Sequence, residues 1–185
     1  DRVLWGPGIY IVPRRDGTLI LGATVEDKGF DPEIYEEDWR TVRVWIAEVD
    51  NEDAEPRSLD LPGTPSQIHW SPVGNLLALA LAPTPLIDHY YMFRKIHVVD
   101  IETGEIVRKF LNPGKLGQIE WSPDASKLAA ICAEDFHDPS AGRLMRASLG
   151  DGSFINLLPG IEADITSVRW QDANTIMYLL DTGVH

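Results

Sequence analysis

The sequence predicts an all-β chain, a β-propeller fragment of about three and a half four-stranded antiparallel blades. Two observations carry this prediction. Trp70, Trp121 and Trp170 lie 51 and 49 residues apart, each at the end of a short alternating segment, and self-similarity at such a period is typical of repeat folds. Between successive tryptophans lie four β-rich segments separated by Gly, Pro and Asp clusters, which is the pattern of one propeller blade.

The second and third blades have the clearest strand pattern. Blade 2 is predicted over residues 66–114, with strands at 66–70, 76–82, 95–101 and 105–111. Blade 3 is predicted over residues 117–160, with strands at 117–121, 127–133, 143–149 and 153–158. In both blades the second segment is apolar without alternation, which favours a strand buried on both faces.

The first and last blades are less regular. Blade 1 is predicted over residues 8–63, because 8–13 and 18–24 flank an Arg-Asp-Gly turn and 39–45 align with 93–99 at an offset of 54. A partial blade 4 covers residues 166–185 and contains two strands. Closed propellers have roughly 4–8 blades, so residues 1–185 are expected to be a single propeller fragment of a longer protein.

The composition argues against some classes of protein. A net charge of −13 disfavours nucleic-acid binding, which needs a basic surface. No segment approaches the ~20 apolar residues of a membrane span, so no membrane partner is expected. The single cysteine, Cys132, lies in an apolar run and is predicted to be a small buried hydrophobe. Cytoplasmic and periplasmic locations both remain open.

Motifs that carry chemistry are missing from the sequence. It contains no Gly-x-Ser-x-Gly nucleophile elbow and no Gly-x-Gly-x-x-Gly loop, so neither catalytic residues nor a cofactor site is predicted. The acidic cluster at 134–138 lacks the spacing of a cation-binding loop and is interpreted as solvated loop charge. No metal site is predicted.

The repeated motifs resemble those of a known peptidase family. Trp70-Ser71-Pro72, Trp121-Ser122-Pro123-Asp124 and the segments 100–105 and 167–170 are similar to motifs in the N-terminal propeller of the prolyl oligopeptidase (S9) serine peptidases. The resemblance covers about residues 34–185. It implies a propeller that caps an α/β-hydrolase domain and screens peptide substrates, with the catalytic serine, aspartate and histidine outside this chain. Tol-type propellers share these motifs and imply a stand-alone propeller that binds a partner protein.

Residues 6–31 resemble a different family. Gly6–Arg14 and Asp16–Glu26, followed by Gly29-Phe30-Asp31, are similar to two adjacent strands of FAD-dependent glycine and D-amino-acid oxidases. The dinucleotide fingerprint of that family and the segment with its substrate-binding arginine are missing from this sequence, so no flavin is expected. The strand–turn–strand pattern favours a native blade, with an oxidase-derived segment as the alternative.

Three long inserts separate the second and third strands of the blades, at 27–39, 83–93 and 134–142. Loops inside a blade usually have ~2–5 residues, and aromatic residues in long loops on a rigid scaffold are typical of binding surfaces. We therefore expect one acidic, aromatic face; the alternative is that each aromatic packs within its own loop. The predicted face comprises Tyr35, Trp39, Tyr90, Tyr91 and Phe136. The repeat tryptophans, Trp70, Trp121 and Trp170, are instead predicted to fill the wedges between blades.

Overall fold

The computed structural model describes residues 42–51, 53–138 and 140–183, together with the backbone of three earlier strands at 4–6, 9–13 and 19–22. It divides into two compact units, Asp1–Asp38 and Trp39–His185. Each unit is described by itself. Among these residues no helix is long and apolar enough to cross a membrane.

The first unit contains a three-stranded antiparallel sheet. Its strands are β1 (Leu4–Gly6), β2 (Ile9–Pro13) and β3 (Leu19–Gly22), in the order β1-β2-β3. The second and third strands match the two predicted around the Arg-Asp-Gly turn, and β1 was not predicted. Strand β1 pairs with β2 from Gly6 opposite Ile9, so the two strands form a local hairpin.

The second unit is built from consecutive antiparallel sheets and one short helix. Two sheets have four strands each and follow chain order, and two sheets have two strands each. The elements are β4 (Trp45–Ile46), β5 (Arg57–Ser58), β6 (Thr64–Trp70), β7 (Leu76–Ala82), α1 (Ile87–Met92), β8 (Lys95–Asp100), β9 (Ile106–Phe110), β10 (Leu116–Trp121), β11 (Lys127–Cys132), β12 (Arg143–Ser148), β13 (Phe154–Asn156), β14 (Asp164–Trp170) and β15 (Ile176–Asp181).

The sheets repeat in detail as well as in order. Each first strand, β6, β10 and β14, has a register irregularity a few residues before its tryptophan, between Pro65 and Gln67, Leu116 and Ile119, and Ile165 and Ser167. Bulges of this kind increase local twist and are retained as designed features of a fold. The all-β propeller fragment predicted from the repeat is confirmed.

The core lies between successive sheets. Because side chains alternate across a strand, Leu77, Leu79 and Leu81 of β7 pack with Val44 and Leu59 beside β4 and β5. The intervening Ala78 and Ala80 face the next sheet. They join a cluster with Ile119 and Leu128 of that sheet and with Phe110 of their own. A third cluster joins β11 and β12 to β14 through Ile131, Leu144, Ile165 and Val168. Strands buried on both faces explain the apolar runs at 76–82 and 127–133.

The residues of the predicted first blade, 8–63, fall in both units. Strands β1, β2 and β3 belong to the first unit, and β4 and β5 belong to the second. Within the first unit, β2 pairs with β1 on one edge and with β3 on the other. Residues 23–41, which include the whole of the first insert at 27–39, lie outside the described residues.

Candidate protein-interaction surface

The tryptophans of the repeat join neighbouring sheets. Trp121 donates its indole N–H to the carbonyl of His69 at 2.8 Å, and Trp170 donates to the carbonyl of Glu120 at 3.1 Å. In each case the acceptor directly precedes the tryptophan of the preceding sheet. One indole N–H therefore fixes the register between two adjacent inner strands.

Two glutamines reinforce these junctions. Gln67 donates to the carbonyl of Gly117 at 2.9 Å, and Gln118 donates to the carbonyl of Val168 at 2.8 Å. The oxygen of Gln118 also accepts from the backbone N–H of Val168 at 3.0 Å. An amide side chain satisfies polar backbone groups that would otherwise be left unpaired between two sheets.

Trp70 has the same motif and a different environment. Its side chain is 53% exposed, whereas that of Trp121 is 7% exposed. Within the part of the chain that the structure describes, no carbonyl accepts a hydrogen bond from the Trp70 indole. The wedge position predicted for the repeat tryptophans is thus occupied by Trp121 and by the half-buried Trp170, and Trp70 faces solvent.

The inner strands line an open groove of about 760 Å³. All three repeat tryptophans line it, and an ion pair of 3.0 Å joins Arg169 to Glu120 at its wall. Burial lowers the pKa of His69, and the nearby charge of Glu120 opposes this shift. The described residues contain no cluster of three or more His, Cys, Asp or Glu side chains able to hold a metal ion.

The second insert forms a short helix that displays aromatic side chains. Helix α1 has six residues and no buried side chain. Just before the helix, the hydroxyl of Thr84 accepts from the backbone N–H of Leu86 at 3.4 Å and lies 2.8 Å from Nδ1 of His89. The rings of Tyr90 and Tyr91 meet edge to face at 5.7 Å.

Arg94 attaches this helix to the junction between the second and third sheets. Its guanidinium lies 4.4 Å from the ring centre of Tyr90, in the range of a cation–π contact. It also donates to the hydroxyl of Ser66 at 3.2 Å and to the carbonyl of Leu116 at 2.5 Å. Because Arg94 itself is buried, Tyr90 rests on a fixed cation.

The third insert reaches the second. Asp135 accepts from the backbone N–H groups of His137 at 2.6 Å and Asp138 at 3.0 Å, which closes a tight turn around Phe136. The ring of Phe136 lies 5.6 Å from that of Phe93. Part of the acidic cluster at 134–138 therefore shapes the loop that presents an aromatic ring.

We call the resulting surface the aromatic rim, defined as Ile87, Tyr90, Tyr91, Phe93 and Phe136. All five side chains are more than one-third exposed. Of the predicted face, Tyr90, Tyr91 and Phe136 lie on this rim, and Tyr35 and Trp39 lie outside the described residues. Phe93 and Ile87 were not predicted to belong to this face, although both lie in the second insert with Tyr90 and Tyr91, after the apolar run at 76–82.

Cys132 takes no part in this surface. It is buried, as is most of β11, and burial raises the pKa of its thiol to about 12. A thiol that stays protonated at neutral pH is a poor nucleophile. Its position agrees with the prediction of a small buried hydrophobe.

No family model matches the chain. Bifunctional protein ThiO/ThiG of Trichormus variabilis is 68% identical over 31 residues, a match that covers 17% of this chain and 5% of that protein. Among solved structures, TolB from Acinetobacter baumannii has a TM-score of 0.44 and 17% identity, over 66% of this chain and 28% of that one. The Cps50 (Swd1) β-propeller domain of Myceliophteria thermophila has a TM-score of 0.35 and 13% identity, over 65% of this chain and 50% of that one.

The fold assignment rests on the sheets and their junctions rather than on these likenesses. The chain spans only about 5% of the length of the curated relatives that it matches in sequence. The S9 resemblance and the oxidase resemblance therefore remain predictions.

Proposed function

We propose that the second unit is a non-catalytic, protein-binding part of a propeller, and that its aromatic rim is the contact surface. The observation that supports this most is the pairing of Phe93 with Phe136 at 5.6 Å. This contact brings aromatic side chains from two blades to one place. Five exposed apolar side chains close together are unusual on a surface that meets only water.

The rim has the properties of a binding site rather than of a flexible loop. Tyr90 is held by Arg94, and Phe136 sits on a turn closed by Asp135. Side chains that are already ordered lose less conformational entropy on binding. Tyr and Phe are also enriched at protein interfaces relative to other surfaces.

The charge around the rim defines the kind of partner. Asp88 lies within α1, and Glu134 and Asp135 lie beside Phe136; all three are exposed. Complementary charge steers partners together and disfavours wrong ones. The proposed partner is therefore a protein segment that carries both apolar and basic side chains.

A peptide array tests this function. Short synthetic peptides of varied charge and apolar content are probed with the protein, with the variant Tyr91→Ser/Phe136→Ser and with the control Val107→Ser. Val107 is an exposed apolar residue on β9, outside the rim. We expect peptides with apolar and basic residues to bind the protein and the control, and to lose binding to the rim variant. Equal binding by all three proteins would contradict the proposal.

We propose more specifically that the partner is the α/β-hydrolase domain of an S9-type serine peptidase, and that the propeller screens peptide substrates. The Trp-Ser-Pro motifs at 70–72 and 121–123 support this assignment. A coding sequence for a Gly-x-Ser-x-Gly motif in the same gene, downstream of the codon for His185, is the expected finding. A gene that encodes only further blades would favour a stand-alone binding propeller of the Tol type.

The oxidase alternative concerns residues 6–31 only. It is supported by the sequence resemblance of this stretch, and the pairing of β2 with β3 suits a blade equally well. Flavin absorbance in the purified full-length protein would favour the oxidase origin. A full-length protein without flavin absorbance would instead favour the interpretation of these strands as part of a propeller.

A further inference from the structure

We propose that the partner of the aromatic rim binds through an arginine, whose guanidinium stacks on the exposed ring of Phe136 and pairs with the carboxylate of Asp135. This arginine site rests on the proposed function, since it specifies which side chain of the partner the rim holds. Three features of the rim support it: exposed ring faces, a carboxylate beside them, and a guanidinium that the rim already binds from its own chain.

The rings of the rim contact one another and remain exposed. Phe93 and Phe136 lie 5.6 Å apart with their planes tilted by 40°, and half of the surface of Phe136 is exposed. A histidine ring meets this pair at each end in a T-shaped arrangement, His89 at 5.3 Å from Phe93 and His137 at 6.0 Å from Phe136. Because the face of an aromatic ring carries partial negative charge, these ordered rings form a ready site for a cation.

The rim already contains one contact of the kind proposed. The guanidinium of Arg94 lies 4.4 Å from the ring centre of Tyr90. Since Arg94 is buried and Tyr90 is exposed, this guanidinium covers the inner side of the ring. Tyr91 meets Tyr90 edge to face at 5.7 Å. A guanidinium that arrives from solvent therefore has the rings of Tyr91, Phe93 and Phe136 to bind, rather than the ring that Arg94 already covers.

A carboxylate beside Phe136 selects this ring among the three. Asp135 directly precedes Phe136, and its Oδ1 accepts the backbone N–H groups of both His137 and Asp138. These two hydrogen bonds fix the carboxylate in the turn through one oxygen, and Oδ2 is the oxygen that we assign to the partner. Asp88 of α1 is also exposed and adds negative charge to the rim. The charge of the site is thus complementary to a cation.

Arginine matches both the ring and the carboxylate, whereas other side chains match only one of them. Its planar guanidinium stacks on an aromatic face and presents N–H groups in its plane to a carboxylate. The ammonium of lysine is a strongly hydrated point charge and stacks on nothing. An apolar side chain would bury the carboxylate of Asp135 without a partner, which costs free energy. The net charge of −13 attracts any cation, so the ring is what distinguishes arginine from lysine.

The binding of three short peptides tests the arginine site. Each peptide carries a fluorescein label and repeats of Leu-X-Gly, in which X is arginine, lysine or citrulline. Lysine keeps the charge without the planar group, and citrulline keeps the planar group without the charge. We expect the full chain to bind the arginine peptide about fivefold or more tightly than either of the other two, as measured by fluorescence anisotropy.

Two variants of the chain assign the peptide to this site. Asp135→Asn keeps an oxygen that can close the turn and removes the charge, so the preference for arginine over citrulline should fall by about threefold or more. Phe136→Leu keeps an apolar side chain and removes the ring, so arginine and lysine peptides should bind almost equally. Glu105→Gln is the control for net charge, since Glu105 is exposed beyond the end of β8 that is farther from α1. It should leave both preferences unchanged.

The outcomes separate the arginine site from the proposed function. Equal affinity for the arginine and lysine peptides would overturn the arginine site and leave the rim as a surface that binds partners through apolar contact and general charge. Binding of none of the three peptides would overturn it too, and the peptide array would still decide the proposed function. A preference for arginine that survives either Asp135→Asn or Phe136→Leu would show that the guanidinium binds elsewhere on the chain.

Discussion

Two tryptophans in the same sequence motif differ in burial, because burial at this position depends on the preceding sheet. Trp121 packs beside β6 and donates to His69. Trp70 ends the equivalent strand, and its side chain remains exposed. The period of the sequence predicts which residues are equivalent, but it contains no information on how far the preceding sheet covers each of them.

The turns after these tryptophans differ at the fourth residue beyond the tryptophan. In the second sheet Gly74 adopts a φ of 74°, and in the third sheet Ala125 adopts a φ of 58°. A left-handed backbone costs a residue with a Cβ atom ~1–2 kcal/mol, and glycine adopts it freely. Ala125 therefore carries strain that its counterpart avoids.

We predict that Ala125→Gly stabilises the protein by a few tenths to about 1 kcal/mol. The relief of strain exceeds the ~0.4–1 kcal/mol that glycine loses through the greater entropy of the unfolded chain. Gly74→Ala should destabilise the protein, although an added Cβ at Gly74 meets no atom within 4 Å. Urea midpoints of both variants check this, and a loss of stability for Ala125→Gly would contradict the assignment of strain.

At the scale of elements, the strands were predictable because alternation and turn residues are local signals. The eight strands of the second and third sheets lie within two residues of their predicted bounds at every end. Helix α1 was not predicted, because six exposed residues provide too little apolar periodicity to indicate a helix. The contact between Phe93 and Phe136 joins residues of two blades, and no local pattern indicates such a pair.

The turn between β10 and β11 depends on one carboxylate. Asp124 accepts from the hydroxyl of Ser122 at 2.7 Å and from the hydroxyl and backbone N–H of Ser126. The hydrogen bond from Ser122, followed by those from Ser126, lowers the pKa of Asp124 to about 2. A carboxylate with a lowered pKa stabilises the folded state while it is ionised.

We predict that Asp124→Asn lowers the urea midpoint above pH 4, and that its difference from the parent shrinks as the pH falls from 3.8 towards 2. The sign follows because the unfolded chain binds the proton first, near its ordinary pKa of 3.8. Val107→Ser carries no titrating change and should differ from the parent by a constant amount. A difference for Asp124→Asn that stays constant with pH would rule out this role of the carboxylate.

At the scale of the whole second unit, stability depends on junctions between sheets rather than on any single sheet. Apolar clusters and tryptophan hydrogen bonds recur at successive junctions. In repeat folds, stability is close to a sum of terms for units and for neighbouring interfaces.

The measurement that tests this account most directly is a comparison of Trp121→Ala with Trp70→Ala by urea unfolding. The two residues share a motif and differ in burial, 7% against 53% exposed. We predict that Trp121→Ala costs ~3–5 kcal/mol, as large aromatic truncations in a core do, and that Trp70→Ala changes stability by about 0.5 kcal/mol or less. Equal losses for the two variants would contradict the account of the junctions.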